Sequence, residues 1–217
     1  MIPKIKICCI SSIEEAGLAI KFGASAIGLV GFMPSGPGVI NDELIAEIAR
    51  YTPPAVSTFL LSSETTADGI IAHCKRTNTN TLQLVDEPEP GVYEKIRETL
   101  PYIKIVQVIH VIDEKSVVQA IHTSKFVDAL LLDSGNPKLA TKVLGGTGKV
   151  HNWHLSREIV RQTNKPVFLA GGLNSENVSD AIRLVQPYGI DLCSGVRTNG
   201  VLDEKKLQQF MENATTI

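Results

Sequence analysis

Short apolar, β-branched runs alternate with amphipathic stretches from one end of this chain to the other, and few folds accommodate that pattern. The runs fall at 4–10, 26–30, 55–61, 80–84, 103–109, 127–133, 166–170 and 190–193. Helical stretches follow at 13–22, 41–51, 66–76, 90–100, 114–123, 154–163, 175–185 and 203–213. Two of them open with clear start signals. Ser12 precedes Glu14 and Glu15, and Asn41 precedes Asp42 and Glu43, so each pairs a capping side chain with acids at the positive end of the helix dipole. A strand-then-helix unit repeated eight times in a chain of this length predicts a single (β/α)8 TIM barrel, one domain over 1–217. The rival, an open doubly wound sheet, calls for a glycine-rich turn after the first strand. The chain has Cys8-Cys-Ile-Ser-Ser12 there.

Charge narrows the partners. Twenty-one Lys and Arg against 23 Asp and Glu leave a net charge of -2 with no basic stripe, so no nucleic-acid partner is expected. No apolar run approaches the roughly 18 residues of a membrane span, and the first residues enter a strand-like pattern without a signal peptide's apolar core. A soluble, cytoplasmic protein is expected, with no membrane association. Cys8, Cys9, Cys74 and Cys193 form no Cys-x-x-Cys pair and no zinc-type spacing with histidine, so free thiols and no metal site are expected. Adjacent strand residues point to opposite faces, so if Cys8 faces inward, Cys9 points toward the helices and Lys6 shares the inward face lower down.

In such a barrel the chemistry belongs at the C-terminal strand ends. Gly171-Gly172 and Ser194-Gly195 follow the last two strands, and backbone N–H groups bared by glycine next to a helix start suit a phosphate. Tight turns alone would also account for these glycines. Gly145-Gly-Thr-Gly-Lys149 fails as a nucleotide-binding loop, because position 143 is Val rather than Gly and 150 is Val rather than Ser or Thr. It reads instead as a flap over substrate or an ordinary connection. Asp133 ends a strand either as a charge reaching solvent or as an acid held at the mouth, and Cys8 is either a small buried apolar group or a reacting thiol. The five histidines form no cluster, and Trp153 is expected to pack at a helix start.

Lys6-Ile-Cys-Cys-Ile10, Leu82-Gln-Leu84, Leu132-Asp-Ser134, the run from Gly145 to Trp153, Leu169-Ala-Gly-Gly-Leu-Asn174 and Asp191-Leu-Cys-Ser-Gly-Val196 occur here in a familiar order. The chain resembles the phosphoribosylanthranilate isomerase family along essentially its whole length. That resemblance implies a (β/α)8 barrel and an Amadori rearrangement of N-(5-phosphoribosyl)anthranilate in tryptophan biosynthesis, a small phosphosugar substrate and no cofactor. It also implies Cys8 as the general base at ribose C2 and Asp133 as the general acid at the ring oxygen. Asp191 would bind sugar hydroxyls, and Gly171, Gly172, Ser194 and Gly195 the phosphate. A thiol of ordinary pKa about 8.5 and a carboxyl of about 3.9 suit those roles once an enclosed site tunes them toward neutrality.

The sequence departs from the family pattern at Cys9, usually Gly, at Val85, usually His, at Asn152, usually Asp, and at Arg197, often Glu. The loop 33–38 lacks the arginine the family commonly offers to the anthranilate carboxylate, so Arg197 is expected to supply that charge from the other side of the mouth. Three readings stay open: this isomerase, an isomerase of another N-linked ribose phosphate, or a phosphosugar-binding barrel without catalysis.

Overall fold

A computed structural model describes residues 2–135 and 150–216. Eight parallel strands close into a barrel in sequence order: β1 (Lys4–Ile7), β2 (Ala26–Val30), β3 (Ser57–Ser62), β4 (Thr81–Leu84), β5 (Lys104–His110), β6 (Ala129–Asp133), β7 (Val167–Leu169) and β8 (Gly189–Leu192). Pairing of β1 with β8, Lys6 opposite Asp191, shuts the sheet on itself, so the (β/α)8 expectation holds and the open sheet is excluded. The helices between and after them are α1 (Ile13–Lys21), α2 (Asp42–Tyr51), α3 (Ala67–Thr77), α4 (Val92–Thr99), α5 (Glu114–Thr123), α6 (Trp153–Gln162), α7 (Val178–Val185) and α8 (Glu204–Thr215). A two-residue hairpin, β9 (Arg197–Thr198) with β10 (Val201–Leu202), follows one 3-10 turn after β8 and was not expected.

Strand alternation sorts the core into two layers. Ile5, Ile7, Ile27, Leu29, Leu60, Leu82, Leu84, Leu130, Leu132 and Ile190 face the helices, where each buried aliphatic side chain contributes about 1.5 to 3 kcal/mol. Residues of the opposite parity, among them Ala26, Phe59, Leu61, Val106, Leu131 and Phe168, fill the barrel. Phe59 and Phe168 meet edge to face at 5.8 Å in that interior. The caps form as the sequence predicts: Ser12 Oγ accepts from Glu15 N at 3.2 Å, and Asn41 Oδ1 from Leu44 N at 2.8 Å. Among the described residues no helix is long and apolar enough to cross a membrane.

Candidate active site

Cys8 follows the last residue of β1, held by a bond from its N–H to Leu192 O at 2.8 Å. Its thiol lies inside the barrel beside Gly28, where an added Cβ would come within 2.7 Å of the sulfur and 3.0 Å of Lys6 Nζ. Asp133 ends β6. Both line one cavity at the C-terminal mouth, together with Gln83, Asp191, Gly171, Gly172, Cys193 and Ser194. Val30, Met33, Leu61, Val85 and Val108 make its apolar wall, and among the described residues no Lys or Arg lines it.

The charges beneath the cavity are paired. Lys6, 0% exposed, donates to Asp191 Oδ1 at 2.8 Å and sits 5.2 Å from the Phe59 ring centre. Burial alone would push the Lys6 pKa down, but the Asp191 carboxylate together with Cys8 and Cys9 more than offsets it and the ammonium is held charged. Asp191 thus lines the cavity with one carboxylate oxygen anchored on Lys6. Burial pushes the Asp133 carboxyl above its ordinary range, and Asp191 adds to this. The Ser134 N–H, 2.7 Å from Asp133 Oδ1, works the other way, as do His110 and Lys6.

Gly171 and Gly172 both take positive φ, 84° and 64°, and line the cavity; a Cβ on Gly171 would come within 3.1 Å of the His151 and Ser134 side chains. Asn177 braces that loop by donating to Gly172 O at 2.9 Å. Gly195 does not line the cavity. A Cβ there would collide with the Leu173 carbonyl, so close packing by itself requires glycine at this position.

Two expectations are corrected. Cys9 does not point toward the helices: β1 ends at Ile7, the alternation stops, and Cys9 turns with φ 60° to line the same cavity as Cys8. Hydrogen bonding to Cys193 and Cys8, with burial, pushes its thiol up, while acceptance from Cys9 and the nearby Arg197 pull the Cys193 thiol down. Arg197 is not offered to a substrate carboxylate either. It is buried outside the cavity lining, with both terminal nitrogens committed to Glu15 and to main-chain carbonyls.

Other departures have local causes. Asn152 caps α6, accepting from His154 N at 3.0 Å, a task Asn and Asp perform equally well. Trp153 packs at that helix start, as expected. Sequence reasoning missed Gln83, which lies on the inward parity of β4 with its Oε1 buried at the cavity and, among the described residues, without a hydrogen-bond partner. The parity of Val85 could have found it. The Gly145–Lys149 segment lies outside the described residues. All four cysteines are free, and among the described residues no three His, Cys, Asp or Glu side chains are placed to hold a metal.

A model of the family described as N-(5'phosphoribosyl)anthranilate (PRA) isomerase matches residues 5–213. The chain belongs to that family. N-(5'-phosphoribosyl)anthranilate isomerase 2 of Methanosarcina mazei is 38% identical over 97% of this chain and 93% of its own length. The phosphoribosyl anthranilate isomerase of Thermotoga maritima superposes with a TM-score of 0.83 at 29% identity, covering 99% of this chain and 100% of that one. A further structure of a phosphoribosyl anthranilate isomerase, in complex with reduced 1-(o-carboxyphenylamino)-1-deoxyribulose 5-phosphate, is 27% identical with a TM-score of 0.79, over 99% of this chain and 100% of its own.

Proposed function

We propose that this protein is the isomerase of N-(5-phosphoribosyl)anthranilate, a step of tryptophan biosynthesis, with Cys8 as general base and Asp133 as general acid. The observation that carries the assignment is that these two groups share one cavity with Gly171 and Gly172, whose positive φ values only glycine takes readily. A carboxyl with a raised pKa keeps its proton for donation. Asp133 gives that proton to the ribose ring oxygen as the C1–O bond breaks and the anilino nitrogen's lone pair forms the C1=N double bond. Cys8, as thiolate, then takes the proton from C2, and the electrons left behind move through C1 to nitrogen. The resulting enol-amine gains a proton at C1 and loses one from the C2 hydroxyl, giving the 2-keto product. The atoms of substrate and product are the same, so no redox cofactor is called for.

The remaining groups divide the substrate between them. Asp191 accepts from sugar hydroxyls, the loop at Gly171 and Gly172 with Ser194 takes the phosphate, and the apolar wall at Val30, Leu61, Val85 and Val108 receives the aromatic ring.

The test is fluorescence-monitored turnover of freshly made phosphoribosylanthranilate. Cys8→Ala and Asp133→Asn should each lower kcat by about 10²-fold or more, the usual worth of a positioned acid or base. Binding of the reduced carboxyphenylamino-deoxyribulose phosphate should stay within a few fold of wild type, roughly as expected for groups acting on the transition state. Near-wild-type turnover in both variants would sink the acid and base assignments.

A further inference from the structure

Arg197 stands 182 positions from Glu15 in sequence, yet the two form a buried, two-pronged ion pair, Nη1 to Oε1 at 2.7 Å and Nη2 to Oε2 at 3.1 Å. The same Nη2 donates to the carbonyls of Cys8 at 3.2 Å and Cys9 at 2.6 Å, and Nη1 to Gly200 O at 3.0 Å. Glu15 is anchored independently. Its Oε1 accepts from Leu202 N at 2.8 Å and its Oε2 from Ser11 N at 3.0 Å. The pair therefore ties the start of α1 and the hairpin after β8 to the two residues that carry the thiols.

Those residues need holding. Cys8 lies beyond the regular end of β1, and Cys9 adopts a left-handed conformation that side chains other than Gly, Asn and Asp seldom take. We propose that the Glu15–Arg197 pair is a positioning device for the Cys8 base, acting through the Cys8 and Cys9 carbonyls rather than on substrate. A guanidinium meets the geometric demand: it is planar, always charged and forks, so one group reaches a carboxylate and two carbonyls at once. At 9% exposure its bonds lie largely shielded from bulk water. A lysine at the same place would keep the charge but offer only three donors from one point, too few to hold both Glu15 oxygens, both carbonyls and Gly200 O together. Base catalysis is sensitive to this, because a reacting group displaced by about 1 Å can cost on the order of 10²-fold in rate.

The inference rests on Cys8 being the base, so Cys8→Ala is assayed alongside Arg197→Lys and Glu15→Gln. The readouts are kcat, KM and thermal midpoint. Arg197→Lys should fold, keep KM within about threefold and lose about tenfold or more in kcat, with a smaller kcat loss at unchanged KM in Glu15→Gln. Near-full activity in Cys8→Ala would remove the base assignment itself. With Cys8→Ala inactive, three results overturn the device. One is a raised KM at constant kcat in Arg197→Lys, which would make Arg197 a substrate ligand. Another is a lowered thermal midpoint with kcat and KM unchanged, which would make the pair structural only. The third is failure of both variants to fold, since that too would make the pair a structural requirement. If Arg197→Lys alone fails to fold, Glu15→Gln decides: a kcat loss at constant KM supports the device, and wild-type kinetics overturn it.

Discussion

Asp133 has a proton affinity in the folded protein that differs from its affinity in the unfolded chain, and the sign of the difference is testable. Its carboxyl is raised by burial, so between the unfolded value of about 3.9 and the folded one the native state binds the extra proton. Stability from this group therefore falls as pH rises through that window. Asp133→Asn abolishes the titration, so its thermal midpoint relative to wild type should be more favourable at pH 7.5 than at pH 4, by calorimetry at both values. His151 has the opposite dependence. Burial pushes its imidazole down to about 4, so the unfolded chain, with a histidine pKa of about 6.5, binds more protons between those values. Stability from His151 is thus lost as pH falls from about 6.5 toward 4, and His151→Phe should flatten that part of a urea-midpoint profile against pH.

The elements formed where local chemistry directed them, and their ends moved where it did not. The pattern predicts a helix over 114–123, and α5 spans that interval, its N-cap Asp113 accepting from Lys115 N at 2.9 Å inside a capping box with Ser116. Asp113→Ala should cost about 1 kcal/mol in urea unfolding with an unchanged m-value, the usual worth of an N-cap. By contrast the apolar run predicts a first strand as far as Ile10, and β1 stops at Ile7. Nothing in an apolar, β-branched run marks the point where its partner strands diverge, and here that point decides where both cysteines face. A period-2 pattern describes side chains only while the ladder continues.

The whole molecule is held by closure and by the last helix. β8 pairs with β1, and α8 buries Leu207, Phe210, Met211 and Ala214. Asn213 donates from α8 to Ser175 O at 2.8 Å, ahead of α7, and Lys21 on α1 pairs with Glu204 at 3.0 Å on the exposed outside. These contacts differ sharply in worth. Phe210, 0% exposed, should cost about 3 to 5 kcal/mol on substitution by Ala, because the cavity left behind cannot collapse fully. Glu204→Ala should change stability by less than about 1 kcal/mol, since both partners are solvated. Chemical denaturation of the two variants compares the terms directly, and equal effects would contradict this picture of the closure.

Legible in the sequence alone were the alternation of strand and helix, the capping residues, the inward parity of Lys6 and Cys8, and the glycine-bearing ends of the seventh and eighth runs. Each is a local property, set by a few neighbouring side chains and the periodicity of the backbone they occupy. The tertiary structure alone decided that Cys9 joins Cys8 at the mouth, that Asp191 is charge-balanced by Lys6, and that Arg197 turns away from the cavity to Glu15. These depend on which carbonyls and carboxylates the closed barrel brings within about 3 Å of a buried donor. A buried cation takes the partners that best offset its desolvation. For Arg197 they lie at the opposite end of the chain, where no local pattern in the sequence points.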